Sequence, residues 1–228
     1  MKKLYLFSYG LRPEHITLET LAAMRECGEV YSHCLDAATA RLFLKYAPGL
    51  KLTAGLDRRR TAEAAVKGLD RHDTVGFLTY GNPLFLNQTA AEVLAAAARR
   101  KAAVKVFAAV SSFDALVNLF GLNKYSDGSL RVADTATLVY KPLFTPGTDT
   151  LFFVPDVLNL PENAGRRVKF VAAARKAYPA KAPAYLADCA SISSGKASVV
   201  KGTVGTLAAL LKKVNERHTL YIPAVRGR

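Results

Sequence analysis

Apolar and polar positions along this chain fall into short apolar runs followed by longer amphipathic segments. Leu4–Ser8, Glu29–Ser32, Val75–Thr79 and Val104–Phe107 are rich in β-branched and aromatic residues, the composition of strands. Thr17–Cys27, Ala37–Tyr46, Thr61–Leu69, Gln88–Arg100 and Ser112–Phe120 have the composition of helices. Thr17 is placed to cap its helix, and Glu19 lies in the first turn, where the helix dipole favours a carboxylate. Strands alternating with helices imply βαβ units and a mainly parallel sheet. After Gly121 the rhythm changes. Leu130–Ala133, Thr137–Tyr140 and Leu151–Val154 read as strands separated by Pro/Gly turns. A helix over Arg166–Ala177 follows, then strands at Ala184–Ala187, Ser198–Val200 and Leu220–Ile222, with a helix over Val204–Val214. Several neighbouring strands have no helix between them, so this second sheet is expected to be mixed. The polar stretch Asn123–Gly128 is the natural boundary, giving two α/β domains, 1–122 and 123–228, with a ligand cleft expected between them.

Two turns stand out against this pattern. Ser8-Tyr9-Gly10 follows the first strand, and Tyr80-Gly81-Asn82-Pro83 follows the strand ending at Thr79. Ligands of open α/β sheets bind at the carboxyl ends of strands, where backbone N–H groups are free. Two glycine turns at that edge point to a pocket for a sizeable small molecule.

Composition narrows the classes. The chain of 228 residues is 50% apolar and 22% charged, which is globular, and long enough for one large or two small cores. No apolar run reaches the ~18 residues that span a bilayer. Polar residues from Ser8 to His15 interrupt any signal-peptide core, so a cytoplasmic protein is expected. Cys27, Cys34 and Cys189 are odd in number and read as free thiols. His15, His33, His72 and His218 are scattered, so no metal site is expected, and His33-Cys34 reads as structural. The net charge of +14 suits an anionic partner. The basic residues are nevertheless spread along the chain, with short clusters at Arg58–Arg60, Arg99–Lys101 and Lys212-Lys213 and no recognised nucleic-acid motif, so no specific nucleic-acid partner is expected.

In this order and spacing the segments resemble the tetrapyrrole methylase superfamily of S-adenosylmethionine-dependent methyltransferases. The resemblance rests on Ser8-Tyr9-Gly10 followed by Ile16–Leu21, on Tyr80-Gly81-Asn82-Pro83, and on Val110-Ser111-Ser112-Phe113. Within the superfamily, the Arg58-Arg59 segment, the link from Phe120 to Val139 and the strand Thr219–Pro223 are similar to the peptide backbone N-methyltransferases of borosin biosynthesis. The resemblance implies S-adenosylmethionine bound between two α/β domains and a homodimer. By position, Ser8, Gly10, Tyr80, Gly81, Asn82, Pro83, Phe85, Ser111 and Ser112 would contact the cofactor from the first domain, and Val154, Ala187, His218 and Thr219 from the second. Arg59 and Tyr80 are the implied catalytic pair, acting on a peptide amide as first choice. The alternatives are carbon methylation of a tetrapyrrole and a catalytically degenerate ligand-binding or scaffold protein. The chain departs from the family pattern at Ser8, Asn82 and Ala108-Ala109, which bear on cofactor affinity. It departs again at Ala62, where the borosin pattern has a tyrosine that helps activate the amide.

Overall fold

A computed structural model describes residues 1–122, 129–192 and 195–225. By internal packing the chain divides into two compact units, Met1–Asp114 and Ala115–Arg228. The boundary expected at Asn123–Gly128 lies outside the described residues.

The first unit runs β1 (Lys3–Ser8), α1 (Leu18–Arg25), β2 (Glu29–Ser32), α2 (Ala37–Phe43), β3 (Leu50–Leu52), α3 (Arg58–Lys67), β4 (Thr74–Thr79), α4 (Gln88–Arg99), β5 (Ala103–Val106) and the start of α5 (Ser112–Phe120). Its strands form one sheet in the order β3-β2-β4-β1-β5, and every pairing is parallel. All five carboxyl ends therefore lie along one edge. Side chains alternate across β1, so Leu4 and Leu6 join Tyr31, Val75 and Phe77 beneath α3 and α4, where Ala62, Ala65, Val66, Ala90, Val93 and Ala97 close the core. The alanines allow both helices to lie close to the sheet. On the opposite face Phe7 crosses Phe107 edge-on at 5.8 Å, and a Cβ on Gly76 would come within 2.4 Å of the Phe7 ring. Gly76 is therefore fixed by packing.

The helices begin where capping chemistry dictates. Thr17 accepts from the Thr20 N–H, Asp36 from Thr39, Asp57 from Arg60 and Asn87 from Ala90. Asp57 starts α3 at Arg58, three residues before the Thr61 start expected from the sequence, and so draws the arginine cluster into the first helical turn. Strand β3 is absent from the sequence-based pattern. At three residues, Leu-Lys-Leu, it is too short to show alternation and carries no β-branched residue.

The second unit contains β6 (Leu130–Asp134), α6 (Thr135–Leu138), β7 (Asp149–Phe153), α7 (Ala164–Ala177), β8 (Pro183–Asp188), β9 (Ser198–Thr203), α8 (Leu207–Leu211) and β10 (His218–Ile222). The sheet order is β6-β7-β10-β8-β9. It is mixed, since β6 and β7 are parallel while β7–β10, β10–β8 and β8–β9 are antiparallel. Phe152, Leu186 and Leu220 from its strands pack with Phe170 and Val171 of α7 and Leu207 and Leu210 of α8. The strand expected at Thr137–Tyr140 is instead the single helical turn α6. Asp134 caps it, accepting from the Ala136 N–H at 2.9 Å and the Thr137 hydroxyl at 3.0 Å, and this cap overrides the strand preference of Thr and Val.

Candidate functional site

Chain direction makes one edge of the first sheet the place to look. From β2 the chain moves outward to β3, and from β4 it moves the other way to β5. Right-handed crossovers put the two following helices on opposite faces. In accord with this, α4 joins the cluster with α3, whereas Phe43 of α2 stacks on Tyr9 at 6.1 Å and lies outside that cluster. The carboxyl ends of β2 and β4 thus form a switch point, where open α/β sheets bind ligands.

The two glycine turns meet beside it. Gly10 (φ 75) and Gly81 (φ 60) are both left-handed and form an isolated bridge, with the Gly81 N–H donating to the Gly10 carbonyl at 2.9 Å. Their roles differ. A Cβ at Gly10 would fall 2.5 Å from the His15 Cβ, so that glycine serves its own turn. A Cβ at Gly81 would meet nothing within 4 Å, so the backbone there faces open space. Ser8 is buried, and its hydroxyl accepts from the Gly10 N–H at 2.9 Å, which makes it part of the turn. Asn82 accepts from the Leu84 N–H at 2.9 Å through Oδ1, leaving its NH2 group without a partner among the described residues. Pro83 is buried and Phe85 half-buried behind this turn. At the end of β5, the Ser111 N–H and hydroxyl both donate to Asp114, at 2.7 and 2.8 Å. This fixes the start of α5, with Ser112 as its first residue.

Next to the turns is a group of neutral polar side chains. Tyr80 is half exposed, at 52%, and its phenol is raised by burial and by the Cys34 sulfur, against the pull of the Arg58 guanidinium. Burial also raises the Cys34 thiol, outweighing hydrogen bonds from Ser32 and Tyr9, and raises the Tyr9 phenol. The His33 ring lies flat on Phe77, with centroids 5.5 Å apart and planes at 7°, and sits 6.4 Å from the Tyr80 ring. Burial lowers the His33 pKa, and its Nδ1 is buried without a hydrogen-bond partner. The Tyr9, Tyr80, Cys34 and His33 side chains are therefore neutral donors and acceptors at neutral pH, and the carboxyl beside them is that of Asp36, held low by hydrogen bonds from Thr39.

Arg59 is the arginine expected to act with Tyr80. Arg59 bonds Glu63 at 3.3 Å, one turn along α3, with 83% of its side chain exposed. Arg58 lowers the Tyr80 phenol, the smallest of the three influences on it. Ala62 is buried in the core beneath α3, where a tyrosine would have to displace packed neighbours. The sequence expectations include neither an effect of Arg58 on Tyr80 nor the contacts of His33 with Phe77 and Tyr80. The first signal was available, because a helix capped by Asp57 turns successive arginines about 100° apart. The second was not, since it depends on contacts between β2 and β4.

In the second unit the remaining expected residues share one edge. Thr219 pairs with Ala187, and Leu220 pairs with Phe152, which brings His218 to the end of β7 next to Val154. Val154 is left-handed (φ 55), an unfavourable conformation for a β-branched residue. His218 accepts from the Asn215 N–H at 3.1 Å, and burial lowers its pKa. Arg217 pairs with the buried Asp188 at 3.0 Å.

Comparison with known proteins places this geometry. Residues 3–208 match the family of tetrapyrrole (corrin/porphyrin) methylases. The chain belongs to the tetrapyrrole methylase family. Among solved structures, the uroporphyrin-III C-methyltransferase of Thermus thermophilus complexed with S-adenyl homocysteine is similar with a TM-score of 0.70 and 20% identity, over 97% of each chain. The cobalt precorrin-4 methyltransferase CbiF is similar with a TM-score of 0.68 and 13% identity, over 97% of this chain and 94% of that one. The methyltransferase CobJ has a TM-score of 0.69 and 12% identity, over 100% and 96%. At such identities the likeness is one of fold. No curated protein sequence matches the chain.

Membership makes the chain a methyltransferase that uses S-adenosylmethionine. The first-sheet edge fits that cofactor on two counts: open backbone at Gly81 and an uncommitted NH2 group at Asn82. Among the described residues no helix is long and apolar enough to cross a membrane, and no group of three or more His, Cys, Asp or Glu is arranged to hold a metal ion.

Proposed function

We propose that this chain methylates a carbon of a polycarboxylate tetrapyrrole. The observation that carries the acceptor is the family match across residues 3–208. It is supported by the net charge of +14, which favours encounter with a polyanion, and by the likeness in fold to a uroporphyrin-III C-methyltransferase and a cobalt precorrin-4 methyltransferase. This order reverses the preference drawn from the sequence. With Arg59 bonded to Glu63 and Ala62 in the core, the set expected to activate a peptide amide is incomplete.

When bound, the cofactor supplies an electrophilic methyl group on a sulfonium. In this reading Tyr80, Gly81, Asn82, Pro83 and Phe85 hold it at the first-sheet edge, while Ser8, Gly10, Ser111 and Ser112 keep the flanking turns in shape. Val154, Ala187, His218 and Thr219 are proposed as contacts from the second unit. Proximity and alignment supply much of the rate in such a transfer, and a rigid edge of capped helices and bridged turns is suited to that. A neutral Tyr80 phenol donates a hydrogen bond and does not compete as a nucleophile.

A peptide amide is the second reading, favoured by one feature. In that reading the Arg58 guanidinium, whose charge is felt at the Tyr80 phenol, would stabilise an imidate-like oxygen. A homodimer is the assembly we propose, to be read by light scattering. To separate the acceptors, the full chain is incubated with methyl-labelled S-adenosylmethionine and either a uroporphyrinogen or a peptide encoded beside the gene. Label in the tetrapyrrole alone is the expected result. Label in the peptide alone reverses the order.

A further inference from the structure

The positive charge is handled differently in the two units. In the first, cations meet carboxylates, as Lys51 and Arg71 do on Glu29 and Arg100 does on Asp70. In the second, the only acidic residue between Ala164 and Lys213 is Asp188, and that carboxylate is buried and paired with Arg217. Helices α7 and α8 pack into one core on one face of the second sheet, through Phe170, Val171 and Ala174 and through Leu207, Leu210 and Leu211. The residues left to solvent are basic: Lys169, Arg175 and Lys176 on α7, and Lys212 and Lys213 after α8. Lys169 and Lys176 lie two turns apart, about 10 Å along the helix, and only small residues such as Ala172 stand between them on the outer face.

Three arginines of α7 are tethered without being neutralised. Arg166 donates to Asn163 Oδ1 at 2.7 Å, Arg167 to Asn159 Oδ1 at 3.0 Å and Arg175 to the Gly205 carbonyl at 2.7 Å. Among the described residues no cation of α7 has a carboxylate partner. A guanidinium fixed by neutral acceptors keeps its full charge and its planar fork, which matches the oxygens of a phosphate. The fold also brings the Tyr140 ring under Arg166, with the guanidinium 4.3 Å from the ring centroid, while the side chain stays 70% exposed. Sequence spacing hides this neighbour, because Tyr140 precedes α7 by two short helical turns and a strand.

We propose that the α7–α8 face of the second unit binds single-stranded nucleic acid without sequence preference, its cations along the phosphates and Tyr140 beneath an unstacked base. A basic track with an exposed ring is how single strands are held, since every base has a face to stack. An anionic membrane fits less well. A helix lying in a bilayer surface exposes large apolar side chains, whereas Phe170 and Val171 of α7 are spent on the core. This surface is separate from the methyl-transfer reading and does not depend on the methyl acceptor.

The test measures fluorescence anisotropy of labelled single-stranded RNA and DNA, each of about 16 nucleotides, titrated with the full chain. With about four phosphates neutralised, affinity should fall about 50-fold between roughly 50 and 200 mM salt. Lys169→Ala/Lys176→Ala should weaken binding about 25-fold near 0.1 M salt and lower the salt slope by about 1.4. Tyr140→Ala should weaken it at least about 5-fold and leave the slope unchanged. The control is Lys67→Ala/Arg99→Ala, which removes equal charge from exposed cations between α3 and α4 in the first unit and should change affinity by less than about 3-fold. All four cations and the ring are exposed, so the folded core is untouched. Binding of RNA, DNA or both with this pattern supports the proposal. An equal loss in the control overturns it, because net charge alone would then be acting. No binding at about 50 mM salt overturns it, as does polyglutamate bound as tightly as the oligonucleotides. Retention on phosphatidylserine vesicles without oligonucleotide binding overturns it in favour of a membrane surface.

Discussion

Replacing Glu29 with Gln should destabilise the first unit in a way that depends on pH. Glu29 opens β2, the strand that ends beside His33, and it is buried. Its carboxylate bonds the Tyr31 hydroxyl at 2.5 Å, Arg71 at 2.7 Å and Lys51. Burial alone pushes this carboxyl up. The hydrogen bonds from Lys51, Tyr31 and Arg71 overcome that and hold it at about 2, against an ordinary 4.5. A difference of about 2.5 units corresponds to about 3.4 kcal/mol at 1.36 kcal/mol per unit. Lys51 and Arg71 are about half exposed, so solvent screening reduces this to about 2 kcal/mol. The folded value is depressed, so the stabilisation is present in full above the unfolded value near 4.5 and is lost as pH falls towards 2. Thermal melts of wild type and Glu29→Gln at pH 7 should differ by roughly 4–8 °C. The gap should close progressively between about pH 4.5 and 2 as the wild type loses its advantage. A gap of the same size at pH 3, or none at pH 7, would refute the account of Glu29 as a carboxylate stabilised by its cations.

Three further outcomes follow from the site. Tyr80→Phe should lower kcat roughly 10-fold while leaving S-adenosylhomocysteine affinity nearly unchanged, because only the donor is lost; an unaltered kcat in steady-state assays argues against a role for the phenol. Gly81→Val forces a β-branched residue to φ 60 and fills the open space, so calorimetry should show affinity reduced at least about 10-fold; unchanged binding places the cofactor elsewhere. Val154→Asn should raise the melting temperature, because Asn tolerates the left-handed region at a saving of about 1 kcal/mol. If the strain serves binding, that gain comes with weaker S-adenosylhomocysteine affinity, and a lower melting temperature contradicts the strain reading.

Much of the architecture is legible in the chain because local and tertiary preferences agree. Leu4–Ser8, Glu29–Ser32 and Val75–Thr79 carry enough β-branched and aromatic residues to declare themselves, and the helices between them imply parallel pairing. Legibility fails where a short element or a cap decides. β3 is three residues long, and α6 is made by Asp134 against the preference of the residues that follow it. Asp57 similarly decides where the arginine cluster falls, by setting where α3 begins.

The site divides along the same line. Glycine turns announce themselves because left-handed backbone demands a particular residue, and Gly10 and Gly81 were found for that reason, although only Gly81 opens onto space. His33 could not be found this way. Its partners Phe77 and Tyr80 lie more than forty residues along the chain, and it meets them only because β4 inserts next to β2. In sequence, His33-Cys34 has the look of filler between a strand and a capped helix. In the fold, the same register that buries Tyr31 in the core carries His33 to the end of the sheet, onto the face of Phe77. There burial strips its charge and leaves one nitrogen without a partner.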